Sequence, residues 1–251
     1  MSRALERTLR RLATAPPAPH EATDLVRCAA LRDELLARGD EVGDVFEALG
    51  GTTVVRVGAE AAGASVPAVE AVLLYRLVRL LRPRRVVELG SAFGVSGAHL
   101  ASALAAEGCG ELVTIEGSPS RHEIAAETIE RAAAGVTTAL CGFFEDHLDA
   151  LGGAGLVFVD GNHQVEPTLG YVDEVVARAA RPCALVLDDV DWSPEFARMW
   201  RSLRRDGRFT AAGGVAGLGV LLLGETAALR GRATRWASWP RPRSRRTAAT
   251  A

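Results

Sequence analysis

Two apolar runs in the second half of the chain end in acids. "LVFVDGNHQVEPT" (156–168) delivers Asp160, with His163 three residues on, and "ALVLDDVDWSPE" (184–195) delivers Asp188 and Asp189. An apolar run closed by Asp-Gly-Asn reads as a strand stopping at a turn. If the two runs are neighbouring parallel strands, three carboxylates meet at one edge of the sheet. Like charges held together are costly unless something cationic joins them. Mg²⁺ is the natural answer, a hard cation that takes carboxylates and keeps open positions for other oxygens. Plainer uses exist for each residue. Asp160-Gly161 is ordinary turn chemistry, Asp188, Asp189 and Asp191 can cap a helix starting near Pro194, and His163 can be a surface loop residue.

The pattern around these runs supplies the scaffold. Helical periodicity covers 2–14 and 21–38, separated by "APPAPH", and "GTTVVRVG" (51–58) reads as a short strand. Ser65 and Pro67 open an apolar helix that runs to about Leu81, where Pro83 stops it. Residues 1–82 thus form an N-terminal helical cap. From Arg85 the pattern alternates. "RVVELG", "ELVTIEG", "TTAL", "GLVFVD" and "CALVLDD" read as strands, with helices at about 95–107, 119–133, 165–180 and 193–205. "RFTAAGGVAGLGVLLLG" then gives two strands with no helix between them. Strands alternating with helices imply a parallel α/β sheet with right-handed crossovers, here spanning 83–226. Residues 227–251 read as a basic disordered tail.

In an open α/β sheet, ligands bind at the carboxyl ends of the strands, where strand order reverses. The first core strand ends "VVELGSAFGVSG". A dinucleotide fingerprint aligned from Gly90 would need glycines at 92 and 95, which are Ala and Val. What is present is an acid two residues before the first glycine: Glu88, then Gly90 and Gly94. This resembles motif I of class I S-adenosylmethionine-dependent methyltransferases, with Ala92 in place of the middle glycine. A sulfonium and an ammonium are cationic, so a carboxylate at this turn complements them, whereas a pyrophosphate would be repelled. The resemblance assigns Glu88, Gly90, Ser91 and Gly94 to cofactor binding. Glu116 ends the second strand 26 residues after Gly90 and can accept both ribose hydroxyls through its two oxygens. "CGFFED" puts Gly142 and Phe143 where the family packs adenine, with Phe143, Phe144 and Glu145 all candidates to face the base. The closing pair of strands also matches that family, whose last strand inserts antiparallel into a Rossmann-like, mostly parallel seven-stranded sheet.

The likeness narrows to metal-dependent O-methyltransferases of the catechol and macrolide-sugar types. These carry an Asp at the end of the fourth strand and an acid followed by Asp or Asn at the end of the fifth, the places of Asp160, Asp188 and Asp189. The likeness makes these three the metal ligands and adds Asp160 to the cofactor contacts. Catechol-type enzymes keep a Lys base three residues after the first Asp. That place is His163 here, and the chain has no Lys: all 29 basic residues are Arg. A neutral imidazole can accept a hydroxyl proton near pH 7. The resemblance covers roughly 85–224 and implies methylation of a small-molecule hydroxyl, with Mg²⁺ and S-adenosylmethionine as cofactors. Two other classes compete: an NAD-linked Rossmann oxidoreductase, and an RNA-directed or non-catalytic S-adenosylmethionine-binding protein.

Composition trims the field. The absence of Lys removes Schiff-base chemistry, pyridoxal-phosphate attachment and a Walker A lysine. The net charge of −2 hides a split: 230–251 carries seven Arg and no acid, so the remainder is at −9, which argues against broad nucleic-acid contact. No run approaches ~18 apolar residues without charge, so no membrane span is expected. Four scattered cysteines without a Cys-x-x-Cys pair point to reduced thiols in the cytoplasm. Trp192 and Trp200 are candidates for the substrate wall, with buried packing the plainer use. A homodimer through the N-terminal helices is a further expectation.

Overall fold

Nine strands and eight α-helices build the molecule as described by a computed structural model, which covers residues 2–46 and 51–225. The basic tail, 227–251, lies outside the described residues. The N-terminal part holds α1 (Ser2–Thr14), α2 (Pro19–Leu36), β1 (Glu41–Phe46), β2 (Gly51–Arg56), α3 (Val57–Ala64) and α4 (Ala68–Leu81). The core follows with β3 (Arg85–Leu89), α5 (Val95–Glu107), β4 (Glu111–Glu116), α6 (Pro119–Ala132) and β5 (Thr137–Cys141). A 3₁₀ segment (Phe144–Leu151), β6 (Leu156–Val159), α7 (Val165–Arg178), β7 (Cys183–Leu187), α8 (Pro194–Leu203), β8 (Ala211–Val215) and β9 (Leu218–Leu223) complete it.

The seven core strands lie in the order β5-β4-β3-β6-β7-β9-β8. β3 to β7 are parallel, and β9 enters antiparallel beside β7, as the sequence pattern predicts. The central strands read as unbroken apolar runs because both of their faces are covered. Alternate residues go to opposite layers. Val86, Phe158, Val186 and Val220 join α1, α4 and α5 through Leu9, Leu73, Leu77 and Leu100. Val87, Val157, Leu185 and Leu221 face α7 and α8 through Val172, Val175, Phe196 and Trp200. The N-terminal helices therefore share one apolar layer with the sheet. Among the described residues no single helix is long and apolar enough to cross a membrane.

The N-terminal part is not wholly helical. β1 pairs antiparallel with β2, an edge the sequence reading misses because Gly43 and Asp44 dilute the strand signal of 41–46. The predicted strand at 51–58 stops at Arg56, and α3 begins at Val57. Cross-strand pairing decided the first difference, and burial of Val57 and Ala61 decided the second. The hairpin rests on α6, where the Ser120 hydroxyl donates to the Gly43 carbonyl at 2.5 Å.

A buried ion pair fastens these helices. Arg76 of α4 and Glu21 of α2 are both fully buried and bonded to each other. The same guanidinium donates to the carbonyls of Leu12 and Ala15, which ends α1 and the Pro-rich link. Removing one member of such a pair strands the other charge in the core. Arg76→Ala should therefore cost about 3–5 kcal/mol in chemical denaturation. The double replacement Arg76→Met with Glu21→Leu should be more stable than Arg76→Ala alone.

Candidate functional site

The strand order reverses between β3 and β6, so the crevice at their carboxyl ends is the expected site. Sheet hydrogen bonding runs up to the candidate residues themselves. The amide of Gly90 donates to Ile115, Gly142 to Glu116, Asp160 to Leu89 and Asp188 to Val159, at 2.8–3.0 Å. Gly90, Glu116, Gly142, Asp160 and Asp188 are thus arrayed along one edge. Gly90 has φ +97°, and a Cβ there would lie 2.0 Å from the Asp160 carbonyl oxygen. Only glycine lets the two strand ends approach so closely. Gly94 has φ +86°, and a Cβ there would lie 2.8 Å from the Ala125 carbonyl. Ala92, standing where the family motif has glycine, also adopts a positive φ of 44°.

On the nucleotide side, the carboxylate of Glu116 is pinned by two amides. Ala92 N–H donates to one oxygen at 2.8 Å and Ser118 N–H to the other at 2.9 Å. Ser91 is buried, and its carbonyl closes the turn by accepting from Gly94 N–H at 2.7 Å. Glu88 lies on the α5 face of β3 and is fully buried. Its Oε2 accepts from the Thr114 hydroxyl at 2.5 Å, while Oε1 has no partner among the described residues. Burial pushes its pKa from 4.5 to about 7, against the pull of hydrogen bonds from Thr114 and Ser96. Glu88 Oε2 therefore lies against the first turn of α5, 2.8 Å from where a Cβ on Gly97 would be. Ser96 and Thr114, which hold it there, carry no motif of their own and escape sequence reading.

Of the three candidates beyond β5, two are occupied. Phe144 stands edge-on to Tyr171 with ring centroids 5.5 Å apart, and the Glu145 carboxylate accepts from the Tyr171 hydroxyl at 2.6 Å. Phe143 is 44% exposed and is the ring left open to a ligand. Gly142 has φ +148° and little room for a Cβ, which would meet His147 Nε2 at 2.8 Å.

On the acid side, Asp160 and Asp188 face each other and are hydrogen-bonded through their carboxyls. Burial first, and the Asp188 charge second, raise Asp160 well above the usual carboxylate range. Asp188 Oδ1 also accepts the Asp189 amide at 2.9 Å. His163 Nε2 lies 3.9 Å from Asp160 Oδ1. Its ring sits 5.5 Å from Trp192 and edge-on to Phe196 at 6.1 Å. His163 thus faces the acid pair. Trp192 is 65% exposed beside it, whereas Trp200 is buried in the core, with its ring 2.8 Å from where a Cβ on Gly219 would be.

Asp189 behaves differently. Its φ is +49°, and its carboxylate flanks Gly217 in the β8–β9 turn, together with Glu70 of α4. Glu70 is buried among these acids, and its pKa rises from 4.5 to about 7, chiefly through burial. The structure therefore brings Asp160 and Asp188 together but turns Asp189 aside. Among the described residues no group of three or more His, Cys, Asp or Glu side chains is arranged to hold a metal ion. As donors, the facing pair of hard oxygen ligands fits a divalent cation. Asp189 does not complete that set in this arrangement.

With this geometry in place, the comparisons are consistent. Residues 87–190 match a family model described as a methyltransferase domain. The O-methyltransferase TomG from Streptomyces achromogenes, involved in tomaymycin synthesis and solved with SAM, is 23% identical with a TM-score of 0.58. The match covers 80% of this chain and 90% of that one. An O-methyltransferase from Bacillus cereus, solved with SAH, is 18% identical over 87% of this chain and 97% of that one, with a TM-score of 0.53. Cofactor-bound Rv0187 from MTB is 22% identical over 86% and 95%, with a TM-score of 0.57. No protein of curated function matches the chain.

Gly90→Ala should cost about 3 kcal/mol or more in stability, or displace Asp160, and should abolish binding of S-adenosylhomocysteine in calorimetry. A second expectation concerns pH. The folded state keeps the Glu88 proton up to about pH 7, whereas the unfolded chain releases it near 4.5. The native state binds more protons in that window, so stability falls as pH rises through it. Thermal melts should show this decline, on the order of 3 kcal/mol from Glu88 at most, and Glu88→Gln should flatten it.

Proposed function

We propose that this chain, a class I S-adenosylmethionine-dependent methyltransferase, methylates a hydroxyl oxygen of a small molecule with the help of Mg²⁺. The observation that carries this reading is the placement of His163 beside the Asp160–Asp188 pair, at the end of the strand next to the glycine turn. In this reading Glu116 receives the ribose hydroxyls, Phe143 offers its open face to adenine, and the glycine turn at 90–94 lets the cofactor approach the backbone. Glu88, whose Oε1 has no partner among the described residues, offers an acceptor oxygen near the end of β3. Asp160 and Asp188 would hold the Mg²⁺, which when bound would lower the pKa of a substrate hydroxyl.

The chain's own residues then do three things. His163 Nε2 takes the hydroxyl proton, and the neighbouring Asp160 carboxylate stabilises the imidazolium that forms. Trp192 and Phe196 hold the imidazole ring in place and keep water from part of it. The fixed strand ends line up the hydroxyl oxygen with the methyl carbon. The O–C bond forms as the C–S bond breaks, and its electron pair returns to sulfur. The substrate belongs to small molecules bearing a hydroxyl, of sugar, catechol or other natural-product type. A cytoplasmic setting accords with four cysteines that form no disulfide. A homodimer through the N-terminal helices is part of the same proposal and is checked by light scattering.

A panel of vicinal diols and catechols, assayed by methyl transfer from labelled S-adenosylmethionine, tests the reading. Activity should require Mg²⁺ and vanish in excess EDTA; full activity in EDTA would remove the metal role. His163→Ala should lower kcat by about 10²–10⁴-fold with S-adenosylhomocysteine affinity unchanged. Retained turnover would return His163 to its loop.

A further inference from the structure

Glu70 is a buried acid with no apparent reason to be one. It comes from α4, outside the matched domain of 87–190, and is 5% exposed. Among the described residues no basic side chain pairs with it. Three aspartates, Asp188, Asp189 and Asp191, act on it with like charge. Its partner is backbone: Oε1 accepts the Gly217 N–H at 2.9 Å, across 147 residues of sequence. Gly217 lies in the turn between β8 and β9, and its carbonyl accepts the Val190 N–H at 3.0 Å. Val190 directly follows Asp189, which holds a left-handed φ of 49°. A Cβ on Gly217 would sit 3.1 Å from Glu70 Oε1 and 3.7 Å from Asp189 Oδ1. One glycine is therefore gripped by Glu70 on its amide side and by the Asp189–Val190 turn on its carbonyl side.

A left-handed conformation at a non-glycine residue persists only where its surroundings impose it. Here the Gly217 carbonyl holds the Val190 amide that follows Asp189, and the Gly217 amide is held in turn by Glu70. The Asp189 amide in turn donates to Asp188 Oδ1, which faces Asp160. We infer that Glu70 is a positioning residue of the reaction: through Gly217 it sets the Asp188–Asp189 turn and so the placement of Asp188 against Asp160. The inference rests on the proposed function only for its consequence, since the chain of hydrogen bonds is independent of what the acids hold. It acts through an accepting oxygen, so a glutamine can replace the glutamate, whereas a shorter carboxylate cannot reach.

The test uses the full-length protein with E70A, E70D and E70Q. Hydrogen exchange read by mass spectrometry reports on peptides spanning 187–193 and 214–220. Mn²⁺ binding, followed by electron paramagnetic resonance, probes the acid pair without needing a substrate. E70A and E70D should exchange about tenfold faster in both peptides, with β3 and β6 unchanged. Mn²⁺ affinity should fall about fivefold or more in both variants, and E70Q should match the wild type in each measurement. Unchanged exchange at 187–193 in E70A would overturn the inference. So would E70Q behaving like E70A, or a loosened turn with undiminished Mn²⁺ affinity. A wild-type protein that binds no Mn²⁺ would remove the metal reading alone, because the exchange results then decide the role of Glu70.

Discussion

The whole site depends on how closely two strand ends approach. β3 and β6 are neighbours where the sheet changes winding direction, and the Gly90 backbone rests against the Asp160 carbonyl. A side chain at position 90 would wedge the two apart by occupying space 2.0 Å from that oxygen. With the wedge absent, the glycine turn, the Glu116 carboxylate and the acid pair all open on one crevice. Glu116 hangs from the same turn, since Ala92 of that turn donates to it. The nucleotide side and the acid side are therefore two halves of one backbone arrangement, and shifting Gly90 moves both.

Charge is handled in two ways in this molecule. Away from the crevice, buried acids are matched with arginines: Glu21 with Arg76, and Glu107 with Arg79 and Arg82. Along the strand ends, Glu88 and Asp188 are buried and Asp160 is half-buried, none with an arginine partner among the described residues, and only His163 stands near Asp160. They are held by hydroxyls, by a backbone amide and by one another, and burial raises the pKa of each. Unneutralised acids in a fold that elsewhere supplies arginines are a feature of function more than of stability.

Much of this was legible in the sequence because the relevant signals are local. The unbroken apolar runs of β3, β6 and β7 announce strands covered on both faces, and each run ends on or beside a candidate residue. Glu88, Gly90, Gly94 and Glu116 sit at spacings set by one turn and one crossover. What stayed hidden depends on contacts far apart in sequence or on side-chain direction. β1 is a strand only because β2 lies beside it. Asp189 looks like a third partner for Asp160 until its left-handed backbone turns the carboxylate toward Gly217. Glu70 has no motif, and its meaning appears only when α4 is laid against the β8–β9 turn. The choice among Phe143, Phe144 and Glu145 needed Tyr171, which claims the latter two.

The central claim is that the crevice between β3 and β6 receives an adenosyl cofactor, with Glu116 on its ribose. Isothermal titration of the purified protein with S-adenosylhomocysteine tests it most directly. The account predicts one site per chain, lost in Glu116→Ala while the variant stays folded, and no heat from NAD⁺. Absence of binding, or binding untouched by Glu116→Ala, would contradict it.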